Sequence, residues 1–295
     1  MEYAAHILVV IGIYAILGLS MNLIAGFAGL LSVAQAGFYG VGAYVAAFLA
    51  LQFHTPFVLN LTVSAVVAGG LGFVVGGPSL RLRGDYLVIA TFSFQVIVLG
   101  VFTNWTSVTG GPMGLYGIPP VHVLGSAITS PLGFLVLVAA TAAIVLWIAS
   151  RLARPPFVRT PKAIREDHVL AAVRGKNVAR TKLSLFVVSS AMAAVAGVLN
   201  TYYMRFIDPS SFTVMESIFI ITIVIVGGAG NLYGPIVGAV VLVLLPEILR
   251  LMGIPSAAAA NIRQILYGLA LVACMLWRPQ GLIGEYAFGR EATPK

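Results

Sequence analysis

Few residues in this sequence could do chemistry. The four histidines, His6, His54, His122 and His168, have no spacing that suggests a shared metal, and the one cysteine, Cys274, sits inside an apolar run. That excludes a disulfide framework and a Cys-rich metal site. No Ser, His and acid grouping converges on a catalytic arrangement. No Gly-Lys-Ser or Gly-Lys-Thr follows a glycine-rich turn, so the chain carries no phosphate-binding loop. What remains is of two kinds. Asn22, Gln35, Gln95, Asn200, Glu216 and Glu247 are polar groups set singly within or beside apolar runs, where they can line a path, bond another helix or pair at a boundary. Arg165, Glu166 and Asp167 form a charged cluster in a basic stretch. Neither kind suggests hydrolysis, and the chain is not expected to be an enzyme.

The elements that must position these groups follow from composition. Of 295 residues 60% are apolar and 9% charged, too few charges for the shell of a soluble protein of this size. Residues 3–80 and 86–150 contain no Lys, Arg, Asp or Glu. A bilayer crossing takes about 20 mainly apolar residues, so these two stretches hold three and two crossings. The class is an all-α polytopic membrane protein, a single transmembrane domain over residues 1–295. About nine helices, with a range of eight to ten, are expected at 5–25, 32–52, 57–80, 86–104, 131–150, 183–204, 213–230, 232–250 and 258–277. Gly26 to Gly29 reads as a turn, and residues 104–130 as a charge-free external loop with a short interfacial helix. The last span is short between Arg263 and Arg278; starting it near Ala258 restores its length and leaves Arg263 to snorkel. The first apolar run lacks a basic leader and a cleavage signal, and is read as a retained helix.

Net charge is +8, but nine of the 17 basic residues lie between Arg151 and Lys182, which argues against a nucleic-acid partner. Basic loops mark the cytoplasmic side. With nine crossings, 14 basic residues fall on one side and three on the other, which puts the 151–182 loop and the carboxyl terminus in the cytoplasm and the amino terminus outside. Within that loop Thr160-Pro161 offers an N-cap and a proline at the first helical position, and Gly175 a C-cap. Residues 162–174 read as an amphipathic helix with Ala163, Leu170 and Val173 on one stripe. Its face suits either anionic lipid or a groove on a soluble subunit; Ala163, Ala171, Ala172 and Gly175 are small for a lipid anchor and suit close protein contact.

At this loop the sequence resembles a known family. Ala163-Ile164-Arg165-Glu166-Asp167, Ala171-Ala172 and Gly175 are similar to the coupling motif of ABC-importer permeases, in the version carried by LivM-like permease subunits of high-affinity branched-chain amino acid importers. Gly29-Leu30-Leu31-Ser32 with Ala34 to Phe38 and Gly42-Ala43-Tyr44, Leu80 to Tyr86 with Thr91, Thr109-Gly110-Gly111, Gly227 to Pro235 with Gly238-Ala239, and Arg278 to Leu282 match further family blocks in order. The resemblance implies a homologous permease subunit as partner, two cytoplasmic ATPase subunits that carry ATP and Mg, and an external solute-binding protein. This chain would bind no cofactor. Its place would be the bacterial inner membrane, and Ala163, Arg165, Glu166, Asp167, Ala171 and Gly175 would couple it to the ATPase.

For the translocation path or gate the candidates are Gln35, Gly42, Thr91, Gln95, Gly227, Gly228 and Gly230. Gln35 and Gln95 have small or polar neighbours, and Gly42, Ala46 and Ala50 recur at intervals of four, which lets two helix backbones approach. Gly227 to Gly230 is either a hinge in a broken helix or an ordinary tight turn. Glu216 and Glu247 sit near helix ends, and Arg205 could pair locally with Asp208 or Glu216. The function implied is a permease moving branched-chain or similar small amino acids inward by alternating access. Related permeases for urea or short-chain amides share much of the pattern; an ion-coupled secondary transporter or a passive channel would leave the coupling loop without a role.

Overall fold

A backbone in hydrocarbon has no water to bond, so uncharged runs must satisfy their own amides as helices. The computed structural model describes residues 2–80, 85–123, 126–128, 130–153, 161, 177–251, 256–278 and 280–283. Its helices are α1 (Glu2–Asn22), α2 (Gln35–Gln52), α3 (Phe57–Ser79), α4 (Asp85–Asn104), the short α5 (Thr106–Thr109), α6 (Pro131–Leu152), α7 (Val178–Met204), α8 (Val214–Gly227), α9 (Gly234–Leu251) and α10 (Ser256–Trp277). Each of the nine apolar runs carries one. Five are long and apolar enough to cross a membrane: α1 with its extension to Phe27, α3, Tyr86–Asn104 of α4, α6 and α7. This is a helical, polytopic membrane protein. Side-chain caps set two of the starts: Ser130 accepts from the Gly133 amide ahead of Pro131, and Asn177 accepts from the Arg180 amide.

Three boundaries differ from the sequence expectation. Of residues 26–29, expected as a turn, Gly26 to Ala28 stay helical because α1 continues through residues 23–27 as a π-helix, and the chain leaves the helix only at Gly29, φ 67°. The run 213–230 shortens to 14 helical residues, since Gly228 at φ 115° leaves helical space. Residues 104–130 hold more than a short helix: a 3-10 turn, β1 (Leu115–Tyr116) and the hairpin strands β2 (Val121–Val123) and β3 (Ser126–Ile128) follow α5. β1 pairs antiparallel with β4 (Phe206–Ile207), which ties this loop to the segment before α8. The last helix starts at Ser256, near the expected Ala258; the side chain of Arg263 and all of residues 162–176, including the amphipathic coupling helix, lie outside the described residues.

The contacts sort into two ends. Tyr3 donates to Glu247, His6 Nδ1 meets the Tyr203 hydroxyl at 2.7 Å, and Asn60 Nδ2 donates to the Tyr202 hydroxyl at 2.6 Å. These join the start of α1, the start of α3 and the end of α7. At the other end Asn22 meets Asn231, and Leu282 meets Val226. That end carries Arg151, Arg180, Lys182 and Arg278, and we call it the basic end. Trp105, Trp147 and Trp277 stand exposed at helix ends, as interface anchors do, with the Arg151 guanidinium 5.1 Å from the Trp147 ring centre.

α7 and α1 lie mostly inside the bundle, and α3, α4 and α6 turn apolar residues such as Val66, Phe73, Ile97, Val136 and Ile144 outward. α2 and α7 pack backbone to backbone. A Cβ on Gly42 would collide with the Ala194 main chain, and one on Gly197 with the Tyr39 carbonyl and, at 2.8 Å, with Ala43 N. The small-residue spacing of α2 therefore has a packing cause. Gly40, on another face, lies against Phe102 and Phe212.

Candidate functional site

The polar residues isolated in the sequence gather where α2 begins. An α-helix starts with amides that have no partner of their own. Here side chains supply partners, two of them from other helices: Val33 N donates to Thr91 Oγ1 at 3.1 Å and Ala36 N to Ser217 Oγ at 3.0 Å, while Ala34 N donates to the neighbouring Ser32 Oγ at 3.3 Å. Gln35 Nε2 donates to Ser20 Oγ at 2.6 Å and Ser189 Oγ at 3.2 Å, and Ser189 in turn donates to the Ser20 carbonyl at 2.6 Å. One turn beyond Thr91, Gln95 Nε2 donates to the Phe212 carbonyl at 2.7 Å, and its Oε1 occupies the space left by Gly37. Apart from the half-buried Val33, these residues are buried. Gln35 Oε1 and Gln95 Oε1 have no hydrogen-bond partner among the described residues.

The partners fix the depth of this cluster. Ser189 and Gln95 lie midway along α7 and α4, so α2 begins in the middle of the bundle. Residues 28–34 return from the end of α1 into the interior. From the opposite end, the segment 209–212 dips in a 3-10 turn and buries Phe212 against Tyr39, Tyr44 and Phe102. α8 then starts beside the first turn of α2. Two short helices thus begin near mid-depth from opposite sides, the discontinuous arrangement that transporters tolerate only inside protein or against water.

Above this junction, toward the opposite end, lie two cavities that share Tyr14 and Glu216. One of about 490 Å³ is lined by Tyr14, Tyr39, Asn200, Asp208, Phe212 and Glu216 among others. The second, about 400 Å³, adds Phe219, Glu247, Gln264 and Tyr267. The Tyr14 hydroxyl donates to Glu216 Oε1 at 2.6 Å, and Phe219 stands edge-on to Tyr14 with ring centres 5.0 Å apart. Carboxylates, hydroxyls and aromatic walls together suit a small zwitterion with an apolar side chain. Among the described residues no group of three His, Cys, Asp or Glu could hold a metal ion.

Toward the basic end the glycine segment forms a tight helical hairpin. A Cβ on Gly227 would strike the Gly234 carbonyl and lie 3.0 Å from Gly238 N, and one on Gly238 would strike the Ile223 carbonyl. Gly228 and Gly230 have φ of 115° and 83°, which L side chains rarely adopt. Residues 223–230 are buried, so this turn is enclosed by protein.

Of the path candidates, then, Gln35, Thr91 and Gln95 come together around the start of α2; Gly42 lies in the α2–α7 seam; Gly227, Gly228 and Gly230 form a separate turn. Asp208 accepts from the Ser210 and Ser211 hydroxyls, and Arg205 ends α7 in a left-handed conformation at φ 55°. Sequence reasoning missed Tyr14 and Tyr39 as cavity residues, and Ser20, Ser189 and Ser217 as partners. Nothing local distinguishes these from other tyrosines and serines in apolar helices; only a polar group on a distant segment gives them a role.

A bundle of apolar helices that encloses two cavities and starts two of its helices near mid-depth has the build of a membrane permease. Residues 3–275 match the family described as branched-chain amino acid transport system / permease component, and the chain belongs to it. It is a transmembrane permease component of a branched-chain amino acid ABC importer, a LivM-like subunit of the inner membrane that is not itself an enzyme. The chain is 37% identical to the high-affinity branched-chain amino acid transport system permease protein LivM of Salmonella typhimurium, over 92% of this chain and 68% of that protein. It is 28% identical to the probable LivM of Methanocaldococcus jannaschii, over 96% and 94%. To the permease protein LivH of Escherichia coli it is 25% identical, over 92% and 91%. No solved structure matches the chain.

Proposed function

We propose that this chain carries branched-chain amino acids into the cytoplasm by alternating access, as one of two homologous permease subunits. Two cytoplasmic ATPase subunits, which bind ATP and Mg, and an external solute-binding protein complete the complex. In this reading residues 1–295 are one domain with nine crossings, and the basic end is cytoplasmic. The loop 151–182 docks on the ATPase through Ala163, Arg165, Glu166, Asp167, Ala171 and Gly175.

The observation that carries the reading is the cavity pair around Tyr14 and Glu216, which opens away from the basic end and stops at the junction of α2 and α8. A solute released by an external binding protein enters there, and Gln35, Thr91 and Gln95 stand below it at the closed mid-point. The test is to co-purify the complex, identify its subunits, and measure ATP-dependent uptake of leucine, isoleucine and valine against urea and short-chain amides. Uptake driven by an ion gradient without ATP, or amides outcompeting leucine, would replace this reading.

Gln35 gives a sharper prediction. Gln35→Met keeps the side-chain length, removes an acceptor without a described partner, and leaves Ser20 bonded to the Leu17 carbonyl and Ser189 to the Ser20 carbonyl. Stability is expected to change by no more than about 1 kcal/mol. Uptake is expected to fall by roughly fivefold, the worth of one hydrogen bond to a passing solute. Thermal unfolding and leucine uptake on the same preparation separate the two; unchanged uptake would remove Gln35 from the path.

A further inference from the structure

The glycine turn after α8 is gripped from two sides by segments far from it in sequence. On one side Asn22, at the end of α1, lays its carboxamide along the turn. Nδ2 donates to the Asn231 carbonyl at 2.9 Å, and Oδ1 accepts the Gly230 amide at 3.0 Å. A carboxamide has both donor and acceptor in one plane, so it bonds the turn much as a neighbouring strand would. The close approach needs a glycine one turn further on, because a Cβ on Gly26 would collide with Asn22 Oδ1 and lie 2.7 Å from Gly230 N.

On the other side is the segment that follows α10. Gly281, at φ 75°, donates to the Arg278 carbonyl at 2.8 Å and turns the chain back onto α8. Leu282 N then donates to the Val226 carbonyl at 2.9 Å and Ile283 N to the Gly227 carbonyl at 3.0 Å. These are carbonyls of the last turn of α8, which no helix of its own can satisfy. The fit is backbone on backbone: a Cβ on Gly281 would lie 2.5 Å from Gly228 Cα and 2.6 Å from the Ile225 carbonyl oxygen.

We propose that Asn22 and residues 281–283 are the two halves of a latch that holds the 228–231 turn closed, and that its release opens the path at the basic end. The proposal rests on reading that turn as a gate. Asn22 belongs to α1 and the strap to α10, while the turn belongs to the α8–α9 hairpin, so a shift of the hairpin against either neighbour breaks its bonds as a pair. Both halves grip main-chain atoms, and Gly228 and Gly230 let the turn change conformation once it is freed. Asn22 is thus a positioning residue: it acts on the path only through the turn it holds.

The test uses the full chain assembled with its partner subunits in liposomes. Cys274, the only cysteine in the chain, has its Sγ 3.7 Å from the Ile225 carbonyl and 3.4 Å from the Arg278 carbonyl, between α8 and the strap. Its modification by a maleimide, followed on this chain by mass, reports whether the two have parted. Asn22→Asp keeps the size and the acceptor but loses the donor and sets a carboxylate against the Asn231 carbonyl. Leu282→Pro removes one strap donor near the end of the chain and tests the other half independently.

Without nucleotide, each variant is expected to raise the rate of Cys274 modification about tenfold and to release preloaded radiolabelled leucine about tenfold faster, as loss of one buried donor that leaves its carbonyl without a partner would allow. A static cap would instead lower the unfolding temperature and leave both rates as in the wild type. Unchanged modification in both assembled variants overturns the latch, whatever the flux. Faster modification with unchanged leucine release shows that the contacts hold the turn but that the turn is not a gate, which overturns the reading beneath the proposal.

Discussion

Gly197→Val is expected to reduce folded, assembled protein by at least about tenfold, because it places a branched side chain where two helices touch through their backbones. Position 197 faces the Tyr39 carbonyl and Ala43 N of α2, and Gly42 makes the reciprocal approach to Ala194. Main-chain atoms cannot rotate away as a flexible side chain can, so α2 and α7 must separate along their seam. Separation also strains the Gln35–Ser189 bond at 3.2 Å and the bond from Thr201 to the Ala43 carbonyl at 3.3 Å. Overpacking costs about 1–3 kcal/mol, and buried polar groups that lose their partners add to it. Gly70→Ala is the control: nothing lies within 4 Å of that Cβ position on α3, and a neutral or slightly stabilising outcome follows from the better helix former. Size-exclusion profiles of the solubilised complex measure both. A Gly197→Val complex that elutes in normal yield would show that the seam is not as tight as described.

Glu166→Lys is expected to lower ATP-driven uptake by on the order of 30-fold or more while leaving membrane insertion intact, since reversing one charge in a docked pair costs about 2 kcal/mol or more. Glu166 and Asp167 are acids in a loop of nine basic residues, so a partner groove that accepts the loop must match that local change of sign. A side chain that only faced anionic headgroups would gain from the change, because an added cation strengthens binding to anionic lipid. The two partners open to this loop therefore predict opposite signs. Uptake, ATPase activity and co-purification of the ATPase subunits, measured together, decide between them; uptake equal to the wild type would remove the loop from coupling.

Much of the bundle was legible because its causes are local. An apolar run must be helical in lipid, and each of the nine runs contains a helix. Helix ends were less legible. Residues 23–27 contain a glycine and precede another, yet they stay helical, because the packing of α1 against the turn at Gly230 outweighs a local preference for reversal. Conversely, the run from 213 to 230 ends early at Gly228, where the backbone must pass within contact of Gly281. Gln35, Thr91 and Gln95 could be chosen for their types and neighbours. Their common position around the start of α2 could not, since it depends on α4 and the 209–212 segment arriving beside residues separated from them by more than one helix.

By itself the sequence determined that this chain lives in a membrane, which loops carry its positive charge, that it has no Gly-Lys-Ser or Gly-Lys-Thr phosphate loop, and to which family it belongs. Composition and short motifs suffice for these, because transfer of a segment into lipid and the presence of a phosphate loop are properties of contiguous residues. Only the tertiary structure decided that α2 and α8 begin in the middle of the bundle, that Tyr14 and Glu216 share a cavity, and that Asn22 and residues 281–283 meet the glycine turn from opposite sides. Each of these is a pairing of polar groups from distant segments, and in an apolar interior such groups must find one another to avoid being buried without a partner. Which one finds which is settled by how the helices cross.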